Sequence, residues 1–442
     1  MKTQLACLLL CLLLVTCSKD TEITDGPNSG YVSKTVVTKG GSKNDSAQSV
    51  VKTSDGGYAI LGFTQSSDGD VSHKQNDSYD YWVLKYASNH TLQWSKTYGG
   101  SGDDRGEHII ETQDGGFAIL GYSTSNDGDV SLNAGAQDYW LAKLDNLGNL
   151  LWQKSYGYIG ADLGKSVMQT PDGGYFITGV LDVTASGGAG NTKQANQRHA
   201  GGDYWVLKLD NQGTIEWSKY YGGSFTDTPY DAVKLADGGY ILIGSSDSDD
   251  VDINNNIGTY DFWIVRISET GSIVWEKNFG GTQIDEARGI LAVNNNSFFV
   301  IGDTRSSDNQ VSNNLGAADL WLININLDGN LIWEKTFGGS NFDAGKSISK
   351  GLNNNYILAG NSRSANGNLT QNKGQNDAWL LQVDGNGNIQ KQISVGGSEI
   401  DSFSSAVQLD NNTIIAVGQS SSSDGDIPEN KGFSDLLILQ LQ

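Results

Sequence analysis

Short apolar runs alternate with polar turns along the chain after its first twenty residues. In the second of several similar units, the apolar runs cover residues 107–112, 116–123, 138–144 and 150–155. Gly, Asn and Asp, which are typical of tight turns, separate the runs. The runs themselves are rich in Ile, Val, Tyr and Trp, and these residues favour strands. The pattern therefore predicts units of four strands.

One motif marks every unit: Asp, then an apolar residue that is often aromatic, then Trp in six units and Leu in the last. Its third positions are 58, 65, 58, 58, 58 and 58 residues apart. Seven regular units of four strands are typical of a propeller. The predicted fold class is all-β, a seven-bladed β-propeller of four-stranded blades. The motif begins at Asp80, Asp138, Asp203, Asp261, Asp319, Asp377 and Asp435.

The two ends of the repeat complement each other. The last unit ends after its third strand, near residue 441. Residues 31–39, followed by Gly40 and Gly41, match the fourth strand of the other units. We therefore expect the N-terminal strand to complete the last blade and to close the ring, which limits exposed sheet edges. The predicted propeller covers residues 31–442.

Two further series recur with the repeat. Five Trp follow twelve residues after the first Trp of a unit, so the two series contain all 11 Trp, and we expect both in the core. An Asp also follows each Gly-Gly, except that the third unit has Gly-Tyr there, and we expect it to accept backbone N–H bonds and fix the turn. The alternative is a charged ring at the channel mouth. This series is Asp45, Asp104, Asp162, Asp227, Asp285, Asp343 and Asp401.

The loop between the second and third strands varies among the units. An Asp-Gly-Asp sequence is intact in the seventh, first and second units, which are neighbours in a closed ring. Paired carboxylates with an intervening Gly suit a hard cation such as Ca²⁺, the one candidate cofactor. The alternative is a set of Asp-Gly turns with no metal. The candidate ligands are Asp68, Asp70, Asp127, Asp129, Asp424 and Asp426.

The third unit replaces this loop with a glycine-rich insertion over residues 186–202. The insertion carries Lys193, Arg198 and His199, and it is interpreted either as a recognition loop or as a plain insertion. The four His of the chain share no repeat position, and no known nucleophile or metal-protease motif occurs. No catalytic residue is assigned, although a carboxylate pair for glycoside cleavage depends on geometry alone.

The N-terminus has the features of a targeting segment. Lys2 precedes an apolar run over residues 5–15, which is too short to span a membrane. The run ends in Leu-Val-Thr-Cys, which resembles the lipobox of bacterial lipoproteins. The resemblance implies a signal peptide over residues 1–16, lipidation of Cys17 and a flexible tether over residues 17–30. An ordinary secretory signal is the alternative. All three Cys lie here, so we expect no disulfide in the folded part.

The repeat can now be compared with known proteins. The Asp-Gly-Gly-Tyr stretch at residues 55–62 and its copies, together with Asp-Tyr-Trp, resembles a propeller-like repeat of Bacteroidota surface proteins. The resemblance covers residues 31–442. It implies a lipid-anchored protein of the outer membrane that faces the cell exterior, with the periplasm as the alternative. Members of this group are sometimes grouped with endoglucanases, but no residue here supports that activity.

Charge narrows the partners. The formal net charge is −22, from 51 acidic and 29 basic residues, and such a surface repels nucleic acid. We expect a monomer that contacts the membrane only through its anchor. The predicted function is a binding platform for glycan or protein ligands. The alternatives are a secreted carbohydrate-active enzyme such as a glycosidase, and a purely structural envelope protein.

Overall fold

The computed structural model describes residues 19–21, 31–191 and 199–442. The N-terminal segment and the first blade contain β1 (Lys19–Thr21), β2 (Lys34–Lys39), β3 (Asp45–Lys52), β4 (Tyr58–Thr64), β5 (Asp80–Tyr86) and β6 (Leu92–Tyr98). The second and third blades contain β7 (Asp104–Glu111), β8 (Phe117–Ser123), β9 (Asp138–Leu144), β10 (Leu150–Tyr156), β11 (Leu163–Gln169), β12 (Tyr175–Asp182), the short helix α1 (Val183–Ser186), β13 (Gly202–Leu209) and β14 (Ile215–Tyr221).

The second half of the chain continues the same order. The fourth and fifth blades contain β15 (Asp227–Lys234), β16 (Tyr240–Ser246), β17 (Asp261–Ile267), β18 (Ile273–Phe279), β19 (Asp285–Asn294), β20 (Ser297–Thr304), β21 (Asp319–Asn326) and β22 (Leu331–Phe337). The sixth and seventh blades contain β23 (Asp343–Lys350), β24 (Tyr356–Ser362), β25 (Asp377–Val383), β26 (Ile389–Val395), β27 (Asp401–Gln408), β28 (Ile414–Ser420) and β29 (Asp435–Leu441).

Each blade is an antiparallel sheet in which consecutive strands pair. The first strand of every blade contacts the first strands of both neighbouring blades, so these seven strands form a closed inner ring. The predicted four-stranded units and the seven-bladed ring are confirmed. The predicted strands of the second unit differ little from the observed ones, except that β7 begins three residues earlier, at Asp104, than the prediction from residue 107.

The seventh blade closes the ring as predicted. β2 pairs with β29 in antiparallel register, from Lys34 opposite Leu441 to Lys39 opposite Leu436. Val36 of β2 is 2% exposed and lies in the core cluster of the sixth and seventh blades. Residues Lys19–Thr21, within the predicted tether, form β1 and pair with β2 as a fifth strand. The remainder of the tether and the predicted signal peptide lie outside the described residues.

The core lies between blades, because each blade packs both faces against its neighbours. Tyr81 of β5 contacts Trp140 of the second blade, with ring centres 4.6 Å apart, and its hydroxyl donates to the Trp140 carbonyl at 2.9 Å. Tyr204 and Trp263 repeat the contact at 4.5 Å and 3.0 Å. The six Trp of the first series are almost completely buried, which confirms the prediction for that series.

The second Trp series is only half-buried, which corrects the prediction that these residues also lie in the core. These Trp lie on the outermost strands, where each covers a turn of the next blade. A Cβ on Gly148 would come within 2.9 Å of the Trp94 ring, and Gly148 has a positive φ of 72°. Glycine is therefore required there for two reasons, the backbone conformation and the close approach of the ring.

Among the described residues, no helix is long and apolar enough to cross a membrane. The only α-helix in these parts of the chain is α1, which has four residues and follows β12 where the insertion of the third blade begins. Asp182 caps it by accepting a bond from the Ala185 N–H at 2.9 Å. The insertion therefore begins with a capped helical turn instead of the acidic loop of the other blades.

The ring closure can be tested with one substitution. Val36→Asp should lower the free energy of unfolding by about 3–5 kcal/mol, because it buries an unpaired charge between two blades. Urea unfolding followed by tryptophan fluorescence measures the change. Val32→Asp is the matched control, since Val32 precedes β2 and is 86% exposed. Equal stability of the two variants would show that β2 does not contribute to the core of the closed ring.

Candidate functional site

The Asp that begins or immediately precedes each inner strand is a turn-fixing acceptor, as predicted. Asp45 is fully buried and accepts bonds from the Gly41 N–H at 2.8 Å and from the Ser66 hydroxyl at 2.8 Å. The Thr64 hydroxyl donates to its other oxygen. The same type of contact with a backbone N–H recurs at Asp104, Asp162, Asp227, Asp285, Asp343 and Asp401.

The first Asp of each acidic loop holds the link between two blades. Its Oδ1 atom accepts from a backbone N–H at 2.7 Å, in the pairs Asp68 with Ser42, Asp127 with Ser101 and Asp424 with Ser398. The loops of the fourth, fifth and sixth blades lack the intact Asp-Gly-Asp sequence. They keep this contact at 2.8 Å through Asp250, Asp308 and Asn366. An amide serves as well as a carboxylate here, so this position has a structural role around most of the ring.

The second Asp of each acidic loop also accepts a backbone bond, from a Gly N–H in the same link. Asp70 forms ion pairs with Lys39 at 3.0 Å and with Lys431 at 2.7 Å. Asp426 is paired with Lys34 at 3.0 Å and with Lys373. Although burial opposes it, these lysines keep the pKa of both carboxyls below its usual value. Asp129 has only the bond from the Gly99 N–H at 3.2 Å.

The three intact acidic loops lie on neighbouring blades, as the closed ring requires. Within residues 31–191 and 199–442, no group of three or more His, Cys, Asp or Glu side chains is placed to hold a metal ion. All six candidate ligands accept a hydrogen bond from a turn amide across a blade junction, at distances from 2.7 to 3.2 Å. Calcium binding stays a prediction, and lipidation of Cys17 concerns a residue outside the described part.

A second buried carboxyl faces each of these links. In five of the seven blades, the Asp of the Asp-apolar-Trp motif accepts from a backbone N–H group through Oδ2, as Asp261 does from Ile257 at 2.6 Å. In six of the seven blades, its Oδ1 atom is buried with no hydrogen-bond partner among the described residues. Burial, with a smaller effect from the neighbouring inner-strand Asp, raises the pKa of Asp261 and Asp80 to about 7 and that of Asp319 to about 6.

In the third blade, a histidine accompanies this carboxyl. His199 Nδ1 lies 2.6 Å from Asp203 Oδ2. In blades such as the fourth and fifth, the backbone N–H of the residue four positions before the Asp donates to this oxygen instead. Although burial opposes it, the bond to Asp203 raises the pKa of His199. His199 is the part of the predicted recognition insertion that the structure places at a blade junction. Lys193 and Arg198 lie outside the described residues.

The clearest candidate site is the central channel, a cavity of about 560 Å³. Each inner strand carries a β-bulge that leaves out of the ladder the third residue after the turn-fixing Asp, and a bulge redirects a side chain. These seven bulge residues all line the cavity, and their type is not fixed by the repeat. They are Gln48, Glu107, Lys165, Tyr230, Arg288, Lys346 and Ser404.

Most charges in the channel are paired. Lys165 contacts Glu107 at 2.9 Å, and Arg288 contacts Glu286 at 3.0 Å. The Arg288 guanidinium also lies 4.1 Å from the centre of the Tyr230 ring. These contacts fix two of the three cationic bulge residues in place and neutralise them.

Two channel groups have no such partner among the described residues. Lys346 has no ion pair there, and burial together with the nearby Arg288 lowers its pKa, although the Asp303 carboxyl opposes this shift. Asp303 is 3% exposed, and its Oδ2 atom has no hydrogen-bond partner. It lies directly opposite Glu286 in the β19–β20 ladder, and burial raises its pKa to about 7.

Ser166, His108 and Asp231 also meet in the channel, but not as a catalytic triad. The Ser166 hydroxyl donates to Asp231 at 2.8 Å, and its oxygen lies 3.5 Å from His108 Nδ1. That nitrogen already accepts the Val167 N–H at 3.0 Å, so it is not available as a base for the serine proton. Burial lowers the pKa of His108 and raises that of Asp231. Ser49 and Ser405 make equivalent backbone contacts between blades, which indicates a structural role.

At one mouth of the channel, the loops of the fifth to seventh blades form an apolar arc with two cations, which we call the arginine mouth. Its residues are Ile284, Arg305, Phe342, Arg363 and Ile400. The Arg305 and Arg363 guanidinium groups lie 5.9 Å and 5.8 Å from the Phe342 ring centre. Both arginines are exposed, and neither forms a salt bridge with a described residue.

Comparisons with solved structures agree with this architecture. The WD40 β-propeller domain of Doa1 is similar, with a TM-score of 0.51 and 11% identity over 94% of this chain and 97% of that one. This likeness supports the fold alone, a seven-bladed β-propeller. The Neurospora crassa Pan2 WD40 domain has a TM-score of 0.48 and 8% identity over 89% of this chain and 88% of that one. No protein-family model and no curated protein matches the sequence.

The channel and the arginine mouth were missed by reasoning from the sequence, which gave weight to the acidic loops and the insertion. A signal was present, because the third residue after the turn-fixing Asp changes between acidic, basic, aromatic and polar types within an otherwise regular repeat. In a strict repeat, the positions that do not repeat are free from the demands of packing. Such positions are therefore candidates for function.

The buried carboxyls make stability depend on pH. Carboxyls such as Asp80 and Asp261 titrate near 4 when unfolded and near 7 when folded, so the folded state holds more protons between these values. The free energy of unfolding should therefore rise by on the order of a few kcal/mol from pH 8 to pH 5. Below about pH 4 it should fall, because the pKa of Asp114 and Asp172 is lowered to about 2.

Urea unfolding at pH 5 and pH 8 measures this effect, and one variant assigns it. Asp261→Asn removes a titrating group at a blade junction and should reduce the difference between the two pH values. Asp328→Asn, at an exposed turn of the fifth blade, is the control and should leave the difference unchanged. Greater stability at pH 8 than at pH 5 would contradict the assignment of a high pKa to these carboxyls.

Proposed function

We propose that this propeller is a binding platform at the cell surface that presents the arginine mouth to a protein ligand. The observation that carries the proposal is the pair of exposed, unpaired arginines beside Phe342. Arg and aromatic side chains are the residues that most often dominate binding energy at protein interfaces. The fold supports the same role, because WD40-type propellers typically serve as interaction platforms.

The chemistry of the partner follows from the charge of the mouth. Arg305 and Arg363 are exposed cations that form no salt bridge with a described residue, in a chain with a formal net charge of −22. Because the chain as a whole is acidic, an acidic segment with an aliphatic or aromatic side chain would meet complementary charge at the arginine mouth and repulsion elsewhere. This favours one docking position. Exposed apolar residues continue the surface in the equivalent loops, with Phe225 59% and Ile159 71% exposed. A protein segment therefore fits the mouth better than a glycan, since no Trp of the described chain lies there.

The glycosidase alternative requires two carboxyl groups that are free to act across a cleft. In the channel, Glu107 and Glu286 are held in ion pairs, and Asp231 accepts bonds from Ser166 and from the Ile290 N–H. Asp303 alone has an unpartnered oxygen among the lining carboxyls. This arrangement favours binding over glycoside cleavage.

A charge-reversal variant tests the platform. Immobilised wild-type protein should retain a partner from the envelope fraction of its source cells, identified by mass spectrometry and then purified. Arg305→Glu/Arg363→Glu should weaken binding of that purified partner at least about tenfold in biolayer interferometry, because it reverses both mouth charges. Lys52→Glu/Lys350→Glu, at the opposite ends of the inner strands, is the control.

Each outcome of this experiment is informative. Equal binding by the wild-type protein and the mouth variant would place the interface elsewhere. Loss of binding in the control as well would indicate a general effect of charge instead of a docking surface. Retention of no partner by the wild-type protein would contradict the platform and would favour a structural envelope role.

We also propose that lipidated Cys17 anchors the propeller to the outer membrane, facing the exterior. The support is the Leu-Val-Thr-Cys sequence after an apolar run. Cys17→Ala should move the protein from the membrane fraction to the soluble fraction, as measured by immunoblot after ultracentrifugation. Cys7→Ala and Cys11→Ala, within the apolar run, should leave the protein in membranes. A membrane-bound Cys17→Ala protein would contradict lipid anchoring through this residue.

A further inference from the structure

One cation in the channel forms no ion pair with a described residue, although the Asp303 carboxyl lies close enough to attract it. Lys346 is the bulge residue of β23, and its side chain lines the 560 Å³ cavity. The other two cationic bulge residues, Lys165 and Arg288, have acidic partners at 2.9 Å and 3.0 Å. Lys346 therefore leaves one positive charge available inside a channel whose walls are protein.

An acceptor in the same cavity also lacks a partner. Asp303 lines the cavity, is 3% exposed, and has an Oδ2 atom with no hydrogen-bond partner among the described residues. Leaving a buried polar group without a partner costs about 1–3 kcal/mol. Arg288 attracts this carboxyl and Glu286, directly opposite, repels it, but neither residue forms a hydrogen bond with Oδ2. An unpartnered group retained at such a cost points to a ligand.

The size and lining of the cavity suit a small polar molecule. Pockets for small ligands have volumes of about 300–1,000 Å³. Ser347 and Ser349 of β23 and Asn361 of β24 lie on the wall of the sixth blade, near Lys346, and provide further polar groups. The ladders of the β-sheets fix the backbone of these residues, so the polar groups are already in place before a ligand enters.

We propose that the part of the central channel lined by the fifth and sixth blades binds a small hydroxylated carboxylic acid, such as a sugar acid. The carboxylate contacts Lys346, and a hydroxyl group bonds to Asp303. One unpaired cation matches one negative charge, which favours a carboxylate over a phosphate dianion. This inference goes beyond the proposed platform, because the ligand lies inside the channel and no macromolecular partner is involved.

Isothermal titration calorimetry of the protein with D-glucuronate tests the proposal. We expect a dissociation constant below about 1 mM for D-glucuronate, and no binding of D-glucose at about 10 mM, because glucose has the same ring without the carboxylate. Lys346→Met, which removes the charge and keeps the length, should weaken D-glucuronate binding at least about tenfold. Lys350→Met, at the end of the same strand, should bind as the wild-type protein does.

Lys346→Arg keeps the charge and should retain binding, which separates loss of the cation from a folding defect. Because Lys346 has no ion pair with a described residue, neither variant should have a lower melting temperature. Absence of D-glucuronate binding, equal binding of D-glucose, or unchanged binding by Lys346→Met would overturn the proposal. Tighter binding of D-glucose 6-phosphate than of D-glucuronate would do so too, since it would indicate a site for a dianion.

Discussion

The structure depends on the contact between the third strands of adjacent blades. At four of the seven junctions an aromatic ring of one blade packs against the Trp of the next, and at three of these a Tyr hydroxyl donates to the carbonyl of that Trp, as Tyr81 does to Trp140. Each blade is stable only when both of its faces are covered, so an open row of blades would expose an apolar face at each end. Closure by β2 covers both ends, which is why a segment distant in sequence belongs to the last sheet.

Burying carboxyl groups at the blade junctions lowers the stability of the fold, and the apolar contacts between the blades compensate for this loss. Two carboxyls flank each Gly-Gly link, and a Cβ on Gly40 would lie 2.6 Å from an oxygen of both Asp45 and Asp435. Only glycine fits between them, and the close approach keeps water out. The result is a ring of buried acids, including Asp80 and Asp261, whose pKa is about 7. The same acids order the loops of the face that carries the arginine mouth.

Repeating and non-repeating positions divide structure from function. The motif residues form the strands and the contacts between blades, so their side chains are not available to bind a ligand or to react. The bulge residues of the inner strands lie outside the ladder and can vary, so the blades contribute acidic, basic, aromatic and polar side chains to the channel. Lys165 and Arg288 are held in ion pairs there, whereas Lys346 has no ion pair with a described residue. The arginine mouth is cationic, in a protein with a formal net charge of −22.

The sequence by itself determined the all-β class, the seven blades, the strand order and the closure. Each of these follows from the spacing of Trp and Gly-Gly, because packing between blades repeats those residues in every unit. It also predicted the turn-fixing role of Asp45 and its equivalents. It did not separate the buried Trp series from the half-buried one, because both lie in similar strands and only the position in the blade differs.

Only the tertiary structure decided which polar residues meet. The bulges bring seven side chains of mixed chemistry into one cavity, and their positions depend on strand register, which the repeat does not show. Arg305 and Arg363 come together around Phe342 because the loops of adjacent blades meet at the channel mouth. The tertiary structure also decides that Lys165 and Arg288 form ion pairs in the channel, whereas Lys346 forms none with a described residue. Contacts between distant residues are set by how the blades pack, whereas the local pattern sets only the blades themselves.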